Sequence, residues 1–289
     1  MFSHSRTVVC LFALTSAFAG AAAGAEDVRL PLKPGSVRFA VIGDNGTGGK
    51  EQYDIARLMA EYREKTGFDF VIMLGDNIYG GESVAGMKKK FEDPYKPLLD
   101  AGVKFYASLG NHDNPNERFY KPFNMDEKRY YDFRKGNAEF FALDSNYMDP
   151  VQLDWLKKQL AGSDSDWKIC YFHHPLYSDG KYHGPDVDLR TRLEPLLDSS
   201  GVNVVFSGHE HVYERIKPHN GIQYFVLGNS GELRLHGLKQ SGDMAKGFDT
   251  DRSFMLVEIA GDQLYFQTIS RTGETVDSGV VERKKSVRP

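Results

Sequence analysis

The side chains best suited to chemistry in this 289-residue chain are carboxylates, imidazoles, an amide and a phenol, and nearly all stand just after an apolar run. Asp44 follows VRFAVIG, and Asp76 follows VIMLG with Tyr79 three residues on. Asn111 and His112 follow YASLG, His173 follows ICYF, and His209 and His211 follow VVFSG. Counted as metal donors, Asp44, Asp76, Tyr79, Asn111, His173, His209 and His211 make seven. One ion takes about three to six donors, so seven that converge imply two ions. Asp76 is the natural bridge, because a carboxylate has two oxygens. His209 and His211 are two apart, and on an extended segment alternate residues face one side, which turns the intervening Glu210 the other way. Two cations roughly 3.5 to 4 Å apart clamp the attacking and leaving oxygens of an in-line displacement at phosphorus. They also provide hydroxide at moderate pH by lowering the pKa of bound water, so no protein nucleophile is required. His112, next to Asn111, stands where it can protonate a leaving alkoxide or steady charge on phosphoryl oxygens.

Residues so far apart in sequence meet only if the chain brings the ends of its apolar runs together. VRFAVIGD, a helical stretch from Gln52 to Lys65, FDFVIML, a charged segment through Leu99 and VKFYASLG alternate in type. This alternation predicts strand-helix-strand units and a largely parallel sheet with covered faces. EFFALD, WKICYFHHP and VNVVFSGHEH continue the theme, with QLDWLKKQL and LRTRLEPLL as the helices between them. Beyond Glu214, IQYFVLGNSG and RSFMLVEIAGDQLYFQTIS read as short antiparallel strands joined at Gly turns. In an α/β sheet the carboxyl ends of parallel strands share one edge, where ligands bind.

The chain opens MFSHSR, then VVCLFALTSAFAG, then AAAGAED: a basic start, an apolar stretch too short to span a bilayer, and small residues before a charge. This reads as a secretory signal over residues 1–25, cleaved after Ala25, and predicts export to the periplasm or medium. The 264 residues left of 289 suffice for one large domain. Loss of Arg6 takes the net charge from −4 to −5, which gives no electrostatic footprint for nucleic acid or anionic lipid. No later run is long and apolar enough for a membrane, and a monomer acting on a small phosphate ester is expected. Cys10 leaves with the signal, so Cys170 has no intrachain partner, and its place in WKICYF reads as a buried small hydrophobe. The ending ERKKSVRP reads as a solvated tail.

Taken in order, GDNG, GDNIY, GNHD, HHP and GHEH resemble the motif series of the metallophosphoesterases, over roughly Val37 to Thr268. The tyrosine three after the second aspartate resembles the purple acid phosphatases, the tartrate-resistant acid phosphatase type among them. QLDWLKKQL, EHVYER and GIQYFVLGNSGELR are similar to that family too. The resemblance implies a single catalytic domain over residues 26–289, built as two mixed β-sheets packed as a sandwich and flanked by helices. It implies Fe(III) paired with Fe(II), Zn(II) or Mn(II), and a metal-dependent phosphoric monoester hydrolase working by attack of metal-bound hydroxide. Matched by motif, Asp44, Asp76, Tyr79 and His211 would hold the ferric ion, and Asp76, Asn111, His173 and His209 the divalent one. Phenolate and carboxylates suit Fe(III), and amide and imidazoles suit a softer divalent ion. The family pattern of His, a variable residue and Pro selects His173 over His174. His183, in KYHGP, resembles a second histidine turned towards substrate, beside His112.

Two stretches depart from the small animal members. DSNYMDPV, between Leu143 and Gln152, leaves little room for the long loop whose excision activates them, so that regulation is not expected here. The segment from Asn114 to Lys135 has its own aromatic and charged character and is expected at the rim of the cleft. A phosphodiesterase or nucleotidase on the same scaffold is the second reading, against which Tyr79 stands. A non-catalytic phosphate or metal binder is the third; it would be favoured by loss of a donor or of His112, and the chain keeps them all.

Overall fold

The computed structural model describes residue 1, residues 27–239 and residues 241–284. Residues 2–25 of the expected secretory signal, with Cys10, lie outside the described residues, as do residues 285–289 of the basic tail.

Strands β1 (Val37–Ile42), β2 (Phe70–Met73) and β3 (Lys104–Ala107) pair in parallel. They are joined first by α1 (Lys50–Thr66) and then by a segment holding the short helices α2 (Val84–Met87) and α3 (Lys96–Asp100). Helix α1 buries Gln52, Ile55, Ala56, Leu58, Met59 and Tyr62, the one-sided spacing of a helix laid on a sheet. It stops at Gly67, whose φ of 64° is left-handed. A hairpin of β4 (Tyr131–Lys135) and β5 (Ala138–Ala142) follows. Next, α4 (Pro150–Gly162) leads into β6 (Trp167–Tyr171), and α5 (Val187–Ser199) into β7 (Val204–Ser207). Asp149 and Asp186 cap these two helices by accepting the N–H of Gln152 and of Leu189. Strands β5, β6 and β7 are parallel. The remaining strands are β8 (Tyr213–His219), β9 (Ile222–Leu227), β10 (Met244–Phe248), β11 (Ser253–Ala260), β12 (Gln263–Ser270) and β13 (Thr275–Glu282).

These strands form two mixed sheets, in the orders β13-β12-β11-β1-β2-β3 and β10-β8-β9-β7-β6-β5-β4. The two-sheet arrangement implied by the motif resemblance is present, and the largely parallel sheet read from alternation is divided between the two. Each sheet keeps a parallel centre, and antiparallel strands extend it. One pairing in the final third departs from the antiparallel expectation: β9 runs parallel to β7. The cause is a pair of reversals, one between β7 and β8 and one within the β8-β9 hairpin, which return β9 to the direction of β7 before it slots in beside it.

Aromatic rings fill the space between the sheets. Phe39 of β1 meets Phe140 of β5 edge-on at 5.2 Å, and Phe70 of β2 meets Phe140 at 5.4 Å. Trp167 of β6 is fully buried and donates its indole N–H to the carbonyl of Gly261, in the β11-β12 turn of the other sheet, at 2.8 Å. On the outer face of the second sheet a separate cluster holds Cys170 with Leu156, Leu160, Leu189 and Leu193 of α4 and α5. Burial pushes the Cys170 thiol well above its usual range, as a packing cysteine requires.

Phe140→Ala should cost about 3–5 kcal/mol of folding stability in urea denaturation, because the ring is fully buried between the sheets. Val280→Ala, on the exposed edge strand β13, should stay within about 0.5 kcal/mol of the parent.

Candidate metal centre

The loops after β1, β2, β3, β6 and β7 meet at one end of the sandwich and are laced by their own backbones. The Asp44 N–H donates to the Gly75 carbonyl at 3.0 Å, and the Tyr79 N–H to the Gly46 carbonyl at 3.0 Å. The His112 N–H donates to Asp76 Oδ1 at 2.9 Å, and the His209 N–H to Asp44 Oδ2 at 2.9 Å. Asp44, Asp76 and His209 all adopt left-handed φ, at 51°, 52° and 70°, a conformation that L residues hold only where their surroundings impose it. Two glycines allow the closeness. A Cβ on Gly110 would stand 2.1 Å from Asp76 Oδ1, and one on Gly75, whose φ is 91°, would stand 2.7 Å from His173 Nδ1.

At the centre of the cluster, His173 Nε2, Asn111 Oδ1 and Asp76 Oδ1 face one another without a proton to share. The Leu74 carbonyl can only accept, so His173 Nδ1, 2.9 Å away, carries the proton and donates it. His173 Nε2 therefore presents a lone pair. It faces Asn111 Oδ1 at 2.9 Å and Asp76 Oδ1 at 3.5 Å, both acceptors, and His209 Nδ1 at 3.1 Å. On the other side of the cluster, Asp44 Oδ1 lies 3.3 Å from the Tyr79 hydroxyl and 3.3 Å from His211 Nε2, with Tyr79 and His211 3.2 Å apart. Ligand atoms of Asp44, Asp76 and His173 lie within 4.8 Å of one another, as do those of His173, His174 and His209. Carboxylates, amide oxygen, phenol and imidazole nitrogens gathered in this way fit metal ions, which supply the positive charge between them.

The electrostatics show the same deficit. Burial, helped by the charge of Asp76, pushes the Asp44 carboxyl up to about 7 against the pull of His211. Burial, then the charges of Asp44 and Asp76, hold the Tyr79 phenol far above its ordinary range. His173 is held well below the usual imidazole value and His209 is pushed down to about 2, in both cases first by burial and then by neighbouring imidazoles. Burial also disfavours the charged form of His211, but its contact with Asp44 outweighs this and raises it.

All seven expected donors come together here, and the two further histidines lie beside them. His112 is exposed, with its ring centroid 5.0 Å from that of Tyr79. His183 is exposed too, its ring 4.2 Å from that of His209. Glu210 turns away from the cluster, as the alternation predicts, and accepts the backbone N–H groups of His183 and Gly184. His174, set aside by the motif, is nonetheless a neighbour: its ring is 4.5 Å from that of His209 and its Nδ1 is 2.8 Å from Ser145 Oγ. The doubled histidine in HHP was the available signal for it. Asp113 is a residue that the motif series does not mark as functional, yet it accepts the N–H of Gly110 at 2.8 Å, the N–H of Ile78 at 3.0 Å and the Asn77 amide at 2.8 Å. It thereby locks the GNHD loop to the GDNIY loop, a role signalled by an acid three residues after a glycine. A cavity of about 360 Å³ opens beside Asn111 and His174, lined also by Pro115, Tyr147 and Asp186. Pro115 brings the start of the 114–135 segment to this opening, while further on Phe123 and Tyr131 turn to the core, Phe119 stays exposed and the segment supplies β4.

The family model described as calcineurin-like phosphoesterase matches residues 37–213. Among curated proteins, the chain is 26% identical to tartrate-resistant acid phosphatase type 5 of Mus musculus, over 83% of this chain and 89% of that protein. It is 28% identical to purple acid phosphatase 7 of Arabidopsis thaliana, over 92% of this chain and 96% of that protein. Among solved structures, GAP50 of Plasmodium superposes with a TM-score of 0.77 at 22% identity, covering 87% of this chain and 90% of that one. A purple acid phosphatase from yellow lupin (Lupinus luteus) seeds superposes with a TM-score of 0.72 at 20% identity, covering 88% of this chain and 55% of that one. At these identities the two superpositions speak to the fold.

Gly110→Ala should weaken divalent-cation binding by about tenfold or more in titration calorimetry, since the added methyl displaces Asp76. Asp44, near 7 without a cation, must ionise to bind one, so affinity should climb from pH 5 to pH 7 with proton release visible in buffers of different ionisation enthalpy. In the cation-free fold the sign is opposite. A carboxyl raised from 3.8 to about 7 contributes stability that is complete below its unfolded value and is lost as pH rises through 7.

Proposed function

This chain belongs to the calcineurin-like phosphoesterase family, and from that premise we propose that it is an exported acid phosphatase, hydrolysing phosphate monoesters at a pair of metal ions. The observation that carries this reading is the meeting of His173 Nε2, Asn111 Oδ1 and Asp76 Oδ1 as facing acceptors. Asp44, Asp76, Tyr79 and His211 would hold Fe(III), and Asp76, Asn111, His173 and His209 a divalent Fe, Zn or Mn. When bound, the pair supplies Lewis acidity towards the phosphoryl oxygens and a nucleophile at moderate pH.

The chain's own residues then have the following work. His173 and His209 stay neutral because burial opposes their protonation, which keeps their lone pairs available. Asp113 holds the two loops bearing Asp76 and Asn111 at fixed separation through its three hydrogen bonds. The backbone of His112 is pinned to Asp76, and its exposed ring leans over Tyr79, where it can deliver a proton to the departing alkoxide oxygen. The His183 ring, over His209, faces the same space and can donate a hydrogen bond to a phosphoryl oxygen. Export is supported by the basic, apolar and small-residue order of residues 1–25. Tyr79 and the acid phosphatase relatives favour monoesters.

One sample serves for metal analysis, a visible spectrum and turnover of a panel of mono- and diesters. The expected result is two metals, a pink to purple colour that fades in Tyr79→Phe, and preference for monoesters. His112→Ala should keep its metal and lose about 10²-fold in kcat on esters with poor leaving groups. A colourless, fully active zinc or manganese protein contradicts the ferric assignment, and equal turnover of diesters contradicts the monoester assignment.

A further inference from the structure

Glu210 lies between two of the metal donors, yet its carboxylate serves a different part of the molecule. It is fully buried. Oε1 accepts the backbone N–H of His183 at 2.7 Å and also that of Gly184. A Cβ on Gly180 would fall 2.0 Å from the carboxylate carbon, so residues 180–184 wrap round this group and only glycine leaves room at the first position. Glu214, four residues further on at the start of β8, holds the preceding turn in the same way. Its Oε2 accepts the Asp179 N–H at 2.6 Å and its Oε1 accepts the Ser178 hydroxyl. The far side of the loop is tied to the next connection, with Lys181 N–H donating to Gly237 O at 2.8 Å and Lys239 N–H to Asp179 O at 2.8 Å. The result is an exposed His183 ring set over the ring of His209.

We propose that Glu210 is a positioning residue: through the N–H groups of His183 and Gly184 it fixes where the His183 imidazole stands, and so couples that histidine to the loop carrying His209 and His211. The chemistry of the contact suits the task. A carboxylate oxygen taking two backbone N–H groups makes charge-assisted bonds, stronger than neutral ones, and they act on backbone rather than on a side chain that can rotate away. Because the ligand loop and the clamp are one tripeptide, His209-Glu210-His211, any movement of the donors is passed to residues 183 and 184.

The kinetic half of the test rests on the phosphatase reading, and the exchange half does not. Hydrogen exchange at the His183 and Gly184 amides, metal content, kcat and KM are measured on metal-loaded parent, Glu210→Ala, Glu210→Gln, Gly180→Ala, His183→Ala and Glu210→Ala combined with His183→Ala. Glu210→Ala and Gly180→Ala should speed exchange at those two amides about tenfold or more. Both should bring kcat to within about threefold of His183→Ala, with metal retained and KM changed less than kcat. Glu210→Gln, whose amide oxygen can take the same two N–H groups, should restore most of the loss. The combined variant should be no slower than His183→Ala alone, since both act through one imidazole. Unchanged exchange in Gly180→Ala, or a combined loss equal to the product of the single losses, overturns the proposal. If Glu210→Ala does not fold, Gly180→Ala alone and combined with His183→Ala decides on the same readouts. A parent inactive on every ester refutes the phosphatase reading, while the exchange comparison still decides the placement of His183.

Discussion

Lone pairs that meet with no proton between them are the constraint around which this molecule is organised. His173 spends its only N–H on the Leu74 carbonyl, which leaves its other nitrogen facing oxygens of Asn111 and Asp76 that can only accept. Such a cluster repels itself unless positive charge enters it. The raised carboxyl of Asp44 and the depressed imidazole of His209 express one shortage from two directions. Burial causes both, and burial cannot be relaxed, because it is what makes the environment poor in water and the response to a cation strong.

Holding such a cluster together takes a scaffold stiffer than the loops themselves. The parallel centres of the two sheets provide it, with β1, β2, β6 and β7 buried almost throughout and ending at a common edge. Left-handed backbone at Asp44, Asp76 and His209, and glycines where any side chain would strike a donor, show how little slack remains at that edge. Asp113 and Glu210 share a mode of action. Each is a carboxylate that collects backbone N–H groups, the first to join two donor loops and the second to attach His183.

Much of this was readable from residue order. The central strands are continuous apolar runs, the helices between them carry one-sided patterns, and each donor stands at the end of a run, so both the alternation and the gathering point follow from periodicity. The two-sheet arrangement was not legible in that way. A strand buried on both faces looks the same in either sheet, and only the similarity of the motif series to a known family separated the two. Strands β4, β10 and β13 are not legible in the sequence for a common reason: they are three of the four sheet edges, where one side is wet and sequences such as YDFRK and TVDSGVVE carry little apolar signal. The parallel pairing of β9 with β7 depends on which strand the hairpin docks beside, a tertiary choice that local pattern does not encode. At the site, local spacing marks the Asp113 turn and the doubled histidine, but not the partners they reach in distant loops: the Ile78 N–H and Asn77 amide for Asp113 and the Ser145 hydroxyl for His174.

The division of the donors between the layers has a further consequence. Asp44, Asp76 and Asn111 ride on the first sheet, and His173, His209 and His211 on the second, so the gap between the two groups gauges how the layers are registered. Sliding one sheet by a single residue would move its donors by about 3.4 Å, close to the whole spacing of a paired-ion centre. Rings such as Phe39, Phe70 and Phe140, and the Trp167 bond to Gly261, act as dowels that stop this slide. The interior of the sandwich, far from any substrate, is therefore part of the ruler that sets the reaction distance.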